Sequence, residues 1–228
     1  MLGTYLLVFF GPGSVVVASV LAIAPDESLV LVAAVFGGTV GFVIVVLGRF
    51  SGAHINPAIT IGGTVAGLFK RELFLPYLLF QMVGGFLAGL SLRLAFGTLA
   101  AATNLGSTEL AVGVSPIKGI VLEAIGTFVL ASSALVAASS VKDPRKQAVL
   151  VGGTLFVLIL FVGPLTGASF NPARSFGPSL FSGHLGGQLV YYVGPVLGAT
   201  CAGLIFGVLR ESSREGNASK NPGLVCVC

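Results

Sequence analysis

Of the 228 residues, 55% are hydrophobic and 9% charged, and the mean hydropathy is +1.02, which excludes an ordinary water-soluble domain. The net charge of +4 comes from basic residues scattered over short connections, so nucleic acid is set aside as a partner. The 33 glycines suit closely packed helices in lipid, where small residues let backbones approach.

Six apolar stretches are long enough to span a bilayer: 1–24, 29–48, 74–97, 116–140, 146–164 and 187–209. The first exceeds the core of a signal peptide and has no basic residue before Arg49, so it reads as a membrane helix despite the small-x-small triplet Ala22-Ile23-Ala24. Two more stretches, 56–69 and 171–181, have helical patterning but are too short to cross. The expected fold class is therefore an all-α membrane protein with six transmembrane helices and two re-entrant half-helices. One channel domain covers 1–210 and a polar, flexible tail covers 211–228.

Lys70, Arg71, Lys142, Arg145, Lys146 and Arg210 fall on one side of this arrangement, and Asp26, Glu27 and Glu109 on the other. The positive-inside rule makes the basic side cytoplasmic, with both termini there. The sequon Asn217-Ala218-Ser219 would then face away from a secretory lumen. Cys201 lies in an apolar span and Cys226 and Cys228 in the tail, so the cysteines offer neither a disulfide framework nor metal-ligand spacing.

The two halves, about 1–112 and 113–210, repeat one another. Leu2-Gly3-Thr4 matches Ile125-Gly126-Thr127, Ser51-Gly52-Ala53 matches Thr166-Gly167-Ala168, and Gln81-Met82-Val83-Gly84 matches Tyr191-Tyr192-Val193-Gly194. With three spans per repeat, the copies must have opposite orientations, and the short segments must enter from opposite faces.

Each short segment opens on an Asn-Pro-Ala triplet, Asn56-Pro57-Ala58 and Asn171-Pro172-Ala173. Asn is a favoured N-cap and Pro a favoured first helical residue. Irregular backbone at membrane depth persists only where protein buries it or a wet cavity meets it. An Asn whose oxygen caps its own helix has its NH2 left as a donor toward the lumen, and the helix adds the positive end of its dipole. Such a centre orients water and repels cations. One triplet alone is a common turn or helix start; two at equivalent repeat positions point to a pore.

From about Leu2 to Arg210 the chain resembles the aquaporin family, through Ser51-Gly52-Ala53-His54-Ile55-Asn56-Pro57-Ala58, through Gly167-Ala168-Ser169-Phe170-Asn171-Pro172-Ala173-Arg174-Ser175, and through Tyr191-Tyr192-Val193-Gly194-Pro195. The resemblance implies a right-handed helical bundle, one pore per protomer, a homotetramer, residence in the plasma membrane, and neither cofactor nor metal. It places a selectivity filter at Phe36, Ile159, Ala168 and Arg174. Ile159 stands where water-selective members carry His and glycerol facilitators Gly, and it looks like the archaeal branch of the family. Ser175 in place of the facilitators' Asp, and Tyr191-Tyr192 in place of their Pro-containing pair, favour water. Ala168 occupies the place of a mercury-sensitive Cys in many water channels, so mercurials should not block through the filter.

The resemblance also makes His54 a cytoplasmic-side pore residue. It makes the in-span Glu123 an acceptor for backbone N–H groups of the nearby re-entrant loop, in preference to a proton relay. The first-repeat equivalent of Glu123 would lie three residues before Gly3, ahead of Met1. The expected function is a passive, proton-excluding water channel. The alternatives are a facilitator of small neutral solutes (glycerol, hydrogen sulfide, peroxide, carbon dioxide) and a secondary active transporter, for which Glu123 is the one mid-span acidic candidate at a coupling site. No nucleophile, base and metal-ligand cluster suggests catalysis.

Overall fold

The computed structural model describes the backbone of residues 1–220 and the side chains of residues 1–212. The tail residues Cys226 and Cys228 lie outside the described residues, as does the Asn217 side chain.

The helices are α1 (Leu2–Val20), α2 (Pro25–Ser51), α3 (Pro57–Val65), α4 (Phe74–Phe96), α5 (Pro116–Ser140), α6 (Pro144–Thr166), α7 (Pro172–Ser182) and α8 (Val190–Lys220). Six are long and apolar enough to cross a membrane. The other two, α3 with 9 residues and α7 with 11, reach only about 14 and 16 Å at 1.5 Å per residue. End to end they make about one hydrocarbon thickness.

Several ends extend beyond the apolar stretches because a polar or proline start belongs to the helix. α2 begins at Pro25, four residues before its stretch, with Asp26 and Glu27 in its first turn, where carboxylates complement the helix dipole. α6 begins at Pro144 because Asp143 Oδ1 accepts from Arg145 N at 2.8 Å. α8 continues to Lys220, well past 209. α1 stops at Val20, short of 24, and Ala22 takes φ 51°. Two 3-10 segments, Arg71–Leu73 and Gly97–Gly106, occupy stretches that carry no apolar period.

Glycines set how the two repeats meet. Gly37 of α2 and Gly152 of α6 are equivalent positions, and they face each other. A Cβ built on Gly37 would lie 2.6 Å from the Gly152 carbonyl oxygen, and one on Gly152 would lie 2.5 Å from that of Gly37. Each half-helix packs chiefly against the last span of the other repeat: α3 on α8 and α7 on α4. Gly62 of α3 abuts the Ala199 carbonyl and Gly177 of α7 abuts Gly85. The halves are therefore interleaved, which brings the two half-helix starts together at the centre.

Candidate functional site

The central site begins with two equivalent chain reversals. α2 ends at Gly52 with φ 65° and α6 at Gly167 with φ 77°. The next residues, Ala53 and Ala168, also take positive φ, 53° and 45°, a conformation unfavourable for a residue with a Cβ unless its surroundings enforce it. Beneath each reversal a glycine of the repeat's first helix provides room. A Cβ on Gly3 would lie 2.7 Å from Ile55 Cγ2, and one on Gly126 would lie 2.7 Å from Phe170 Cζ.

Glu123 on α5 holds the second reversal. Its Oε1 accepts from Ser169 N at 3.0 Å and from Thr166 Oγ1 at 2.7 Å, and its Oε2 accepts from Phe170 N at 2.7 Å. The carboxylate is fully buried and both oxygens are engaged, as a buried carboxylate requires. In the first repeat a different group serves the corresponding loop: Gln81 Nε2 donates to His54 O at 3.0 Å and to Thr60 Oγ1 at 2.9 Å, and Tyr77 Oη donates to Ser51 O at 3.1 Å. Gln81 entered the sequence comparison only as part of a repeat match; a buried amide in an apolar span was the signal for its role.

The two asparagines cap their helices alike. Asn56 Oδ1 accepts from Ala58 N at 2.9 Å and Ile59 N at 3.4 Å, and Asn171 Oδ1 accepts from Ala173 N at 3.0 Å and Arg174 N at 3.4 Å. Each amide then reaches into the opposite loop: Asn56 Nδ2 donates to Phe170 O at 2.7 Å and Asn171 Nδ2 to Ile55 O at 3.1 Å. The expectation that each NH2 is left wholly to the lumen is thus refined. One N–H of each ties the two reversals together, and one remains. Spacing cannot reveal this tie, because it joins residues 114 and 116 positions apart.

A cavity of about 440 Å³ runs past these groups. Phe36 and Arg49, about 20 Å apart along α2 at 1.5 Å per residue, line opposite ends, Arg174 stands beside Phe36, and Asn56, Asn171, His54 and Gln147 also line it. Aliphatic side chains such as Val40, Leu130 and Leu155 make up much of the wall. Arg174 is 3% exposed, and its Nη1 donates to the Gly106 carbonyl at 2.8 Å. Its Cζ lies 5.0 Å from the centroid of the Phe36 ring, close enough for a cation–π contact. Phe36 is itself seated on Gly11, where a Cβ would lie 2.7 Å from its Cδ1. Ile159 and Ala168 are buried in the apolar cluster that includes Phe36, rather than among the residues lining this cavity.

Sequence reasoning missed the loop that holds Arg174. The 3-10 segment ends with Asn104 and Leu105 in left-handed conformations, φ 47° and 58°, which turns the Gly106 carbonyl toward the guanidinium. Thr108 Oγ1 and Ser175 Oγ are 2.8 Å apart, Ser107 and Ser182 hydroxyls 3.1 Å, and Gln188 Nε2 donates to Thr108 O at 3.1 Å. These contacts pin the loop to α7 and the start of α8. An Asn-Leu-Gly turn before Ser-Thr was the available signal.

The geometry describes a bundle of six candidate membrane spans around a largely apolar cavity that a few polar groups line. A sequence model of the family described as Major intrinsic protein matches residues 1–206. The probable aquaporin AqpM of Archaeoglobus fulgidus is 35% identical, over 92% of this chain and 95% of its own length. Aquaporin NIP1-2 of Oryza sativa subsp. japonica is 34% identical, over 94% of this chain and 71% of its own, and aquaporin TIP2-1 of Arabidopsis thaliana is 36% identical, over 94% and 86%. The X-ray structure of the aquaglyceroporin from Plasmodium falciparum superposes with a TM-score of 0.78 at 21% identity, covering 99% of this chain and 93% of that one, a likeness of fold. The chain belongs to the major intrinsic protein family, the aquaporins, which are membrane channels and not enzymes.

Proposed function

We propose that this aquaporin is a passive water channel that excludes protons and ions. The observation that carries the reading is the reciprocal pair of bonds from Asn56 to Phe170 O and from Asn171 to Ile55 O. They lock both amides at the cavity and leave each one N–H for a passing water oxygen. The starts of α3 and α7 converge there, adding positive dipole ends that oppose a cation. In this reading the filter is the group Phe36, Ile159, Ala168 and Arg174, in which Phe36 and Arg174 line the cavity, Ile159 and Ala168 belong to the apolar cluster around Phe36, and Arg174 is the charged donor. The working form is a homotetramer in the plasma membrane with both termini cytoplasmic, consistent with the basic residues gathered on one side.

A second reading, facilitated passage of a small neutral solute such as glycerol, is favoured by the apolar Ile159 and Ala168 beside Phe36 and by the aquaglyceroporin among the relatives of fold. Stopped-flow assays of proteoliposomes under water, glycerol and proton gradients distinguish the two. Raised osmotic water permeability without proton leak is expected. Glycerol flux without water flux would favour the second reading, and permeability equal to that of empty vesicles would refute both.

A further inference from the structure

Three contacts converge on one hydroxyl beside the cavity. Thr60 Oγ1 lies 3.0 Å from Asn56 O, 2.9 Å from Gln81 Nε2 and 3.2 Å from His54 Nδ1. The roles of the first two partners are fixed by chemistry. A carbonyl oxygen only accepts, so the hydroxyl hydrogen goes to Asn56 O. Gln81 Nε2 only donates, and its orientation is set independently because its other hydrogen goes to His54 O at 3.0 Å, where an amide oxygen would meet another oxygen. With its one hydrogen committed, Thr60 Oγ1 has only a lone pair for the imidazole. Any other assignment sets two lone pairs against each other in a buried site.

We infer that Thr60 and Gln81 hold His54 as the Nδ1–H tautomer, so that its Nε2 lone pair is presented to the pore as a hydrogen-bond acceptor. The placement agrees. His54 lines the cavity, and its Nε2 edge is bordered by Gly52, another lining residue, where a Cβ would lie 3.8 Å from Nε2 and 3.2 Å from Cδ2. Among the described residues Nε2 makes no hydrogen bond. The ring's orientation is fixed on its far side by Phe69, with centroids 4.5 Å apart, and by Tyr77 at 6.0 Å. Burial pushes the imidazole pKa down to about 4, so the doubly protonated ring, which would also satisfy Thr60, is not the form present at neutral pH.

The inference rests on the pore reading and deepens it. The asparagines offer donors at the centre, and His54 offers an acceptor toward the Arg49 end. A water leaving the centre with its hydrogens pointing away from the amides meets a lone pair placed to receive one. His54 is thus a positioning residue that favours permeants able to donate a hydrogen bond, and Gln81 and Thr60 set its polarity without touching the file.

The test is solid-state 15N NMR of the full chain, labelled at histidine, in liposomes at pH 7.5. The chain has two histidines, so His184→Gln assigns the remaining signals to His54. The expected spectrum has an unprotonated, pyridine-type Nε2 and a protonated, pyrrole-type Nδ1. Thr60→Val should shift the population toward the other tautomer and lower water permeability several-fold. A protonated Nε2 in the parent protein would overturn the inference, as would a tautomer unchanged by Thr60→Val in protein whose thermal unfolding shows it to be folded. The NMR readout needs no flux. Failure of the tautomer assignment in conducting vesicles, and failure of conduction in protein with the expected spectrum, are therefore separate outcomes.

Discussion

Asn56 Nδ2 donates to Phe170 O at 2.7 Å, a bond that joins the helix start of one repeat to the loop of the other. The reciprocal bond runs from Asn171 to Ile55 O. Asn56→Asp preserves the capping oxygen but sets a carboxylate oxygen against the Phe170 carbonyl, and Asn171→Asp does the same at Ile55. Each variant is expected to lose stability by about 1–3 kcal/mol, the cost of a buried polar group left unpaired, and most of its water permeability. Thermal unfolding in detergent and stopped-flow light scattering check the two effects separately.

Arg174 is held by Gly106 O and faces Phe36 across 5.0 Å. A unit charge about 5 Å from the file at an effective dielectric of about 20 opposes a cation by about 3 kcal/mol, so Arg174→Val should raise proton leak on the order of a hundredfold. Glycerol flux should rise with it, because the side chain also narrows that end of the cavity. A pH-sensitive dye inside proteoliposomes reads the leak, and an unchanged leak would remove Arg174 from the filter.

Glu123 accepts three hydrogen bonds from the second reversal. Glu123→Gln turns an NH2 group toward one of these donors, leaving a buried N–H without an acceptor at about 1–3 kcal/mol. The expected result is a lower unfolding temperature and reduced water permeability. A proton relay would instead give gradient-driven solute accumulation in the parent and none in the variant, which vesicle uptake under an imposed proton gradient would detect.

Much of this was readable in advance because it depends on local chemistry. Asn before Pro specifies a capped start, and an apolar stretch opened by Ser115-Pro116 gives the start of α5 directly. The match of the two halves gave the inverted arrangement. The sequence did not disclose the cross-repeat ties at Phe170 O and Ile55 O, or the Gly106 carbonyl behind Arg174, since backbone acceptors carry no residue signature. Asp26 and Glu27 were read as connection for a related reason. Hydropathy measures the bilayer, whereas the helix runs on for a further turn that its dipole and Pro25 sustain.

For pH, the relevant group is His54, whose neutral form is favoured by burial with the pKa down to about 4. The unfolded chain, with an ordinary imidazole pKa near 6.5, takes up a proton at a higher pH than the folded one. Stability should therefore fall as pH drops from about 6.5 toward 4, and stay flat from this source above 6.5. Arg49 is the charged side chain sharing that end of the cavity, and burial is what lowers the imidazole. Unfolding temperatures of the parent and of His54→Phe across pH 4–8 check the sign: the slope should be shallower in the variant.

Ala168, at the position proposed for the filter, provides no thiol, and Cys201 on α8 is exposed. Mercurials are expected to leave water permeability nearly unchanged. Strong inhibition that persists after Cys201→Ser and removal of Cys226 and Cys228 would overturn the assignment.

The contact between Gly37 and Gly152 has a bearing on which substitutions the crossing can accept. Because the two positions are equivalent and lie face to face, a two-fold dimer of a single half-chain would set one glycine against its own copy. A new side chain there would enter the contact twice, once from each side, and could not be relieved by a compensating change in a distinct partner. Fusion of two halves into one chain removes that constraint, since each position can then vary alone. With glycine at both equivalent positions, the α2–α6 crossing is as close from one repeat as from the other.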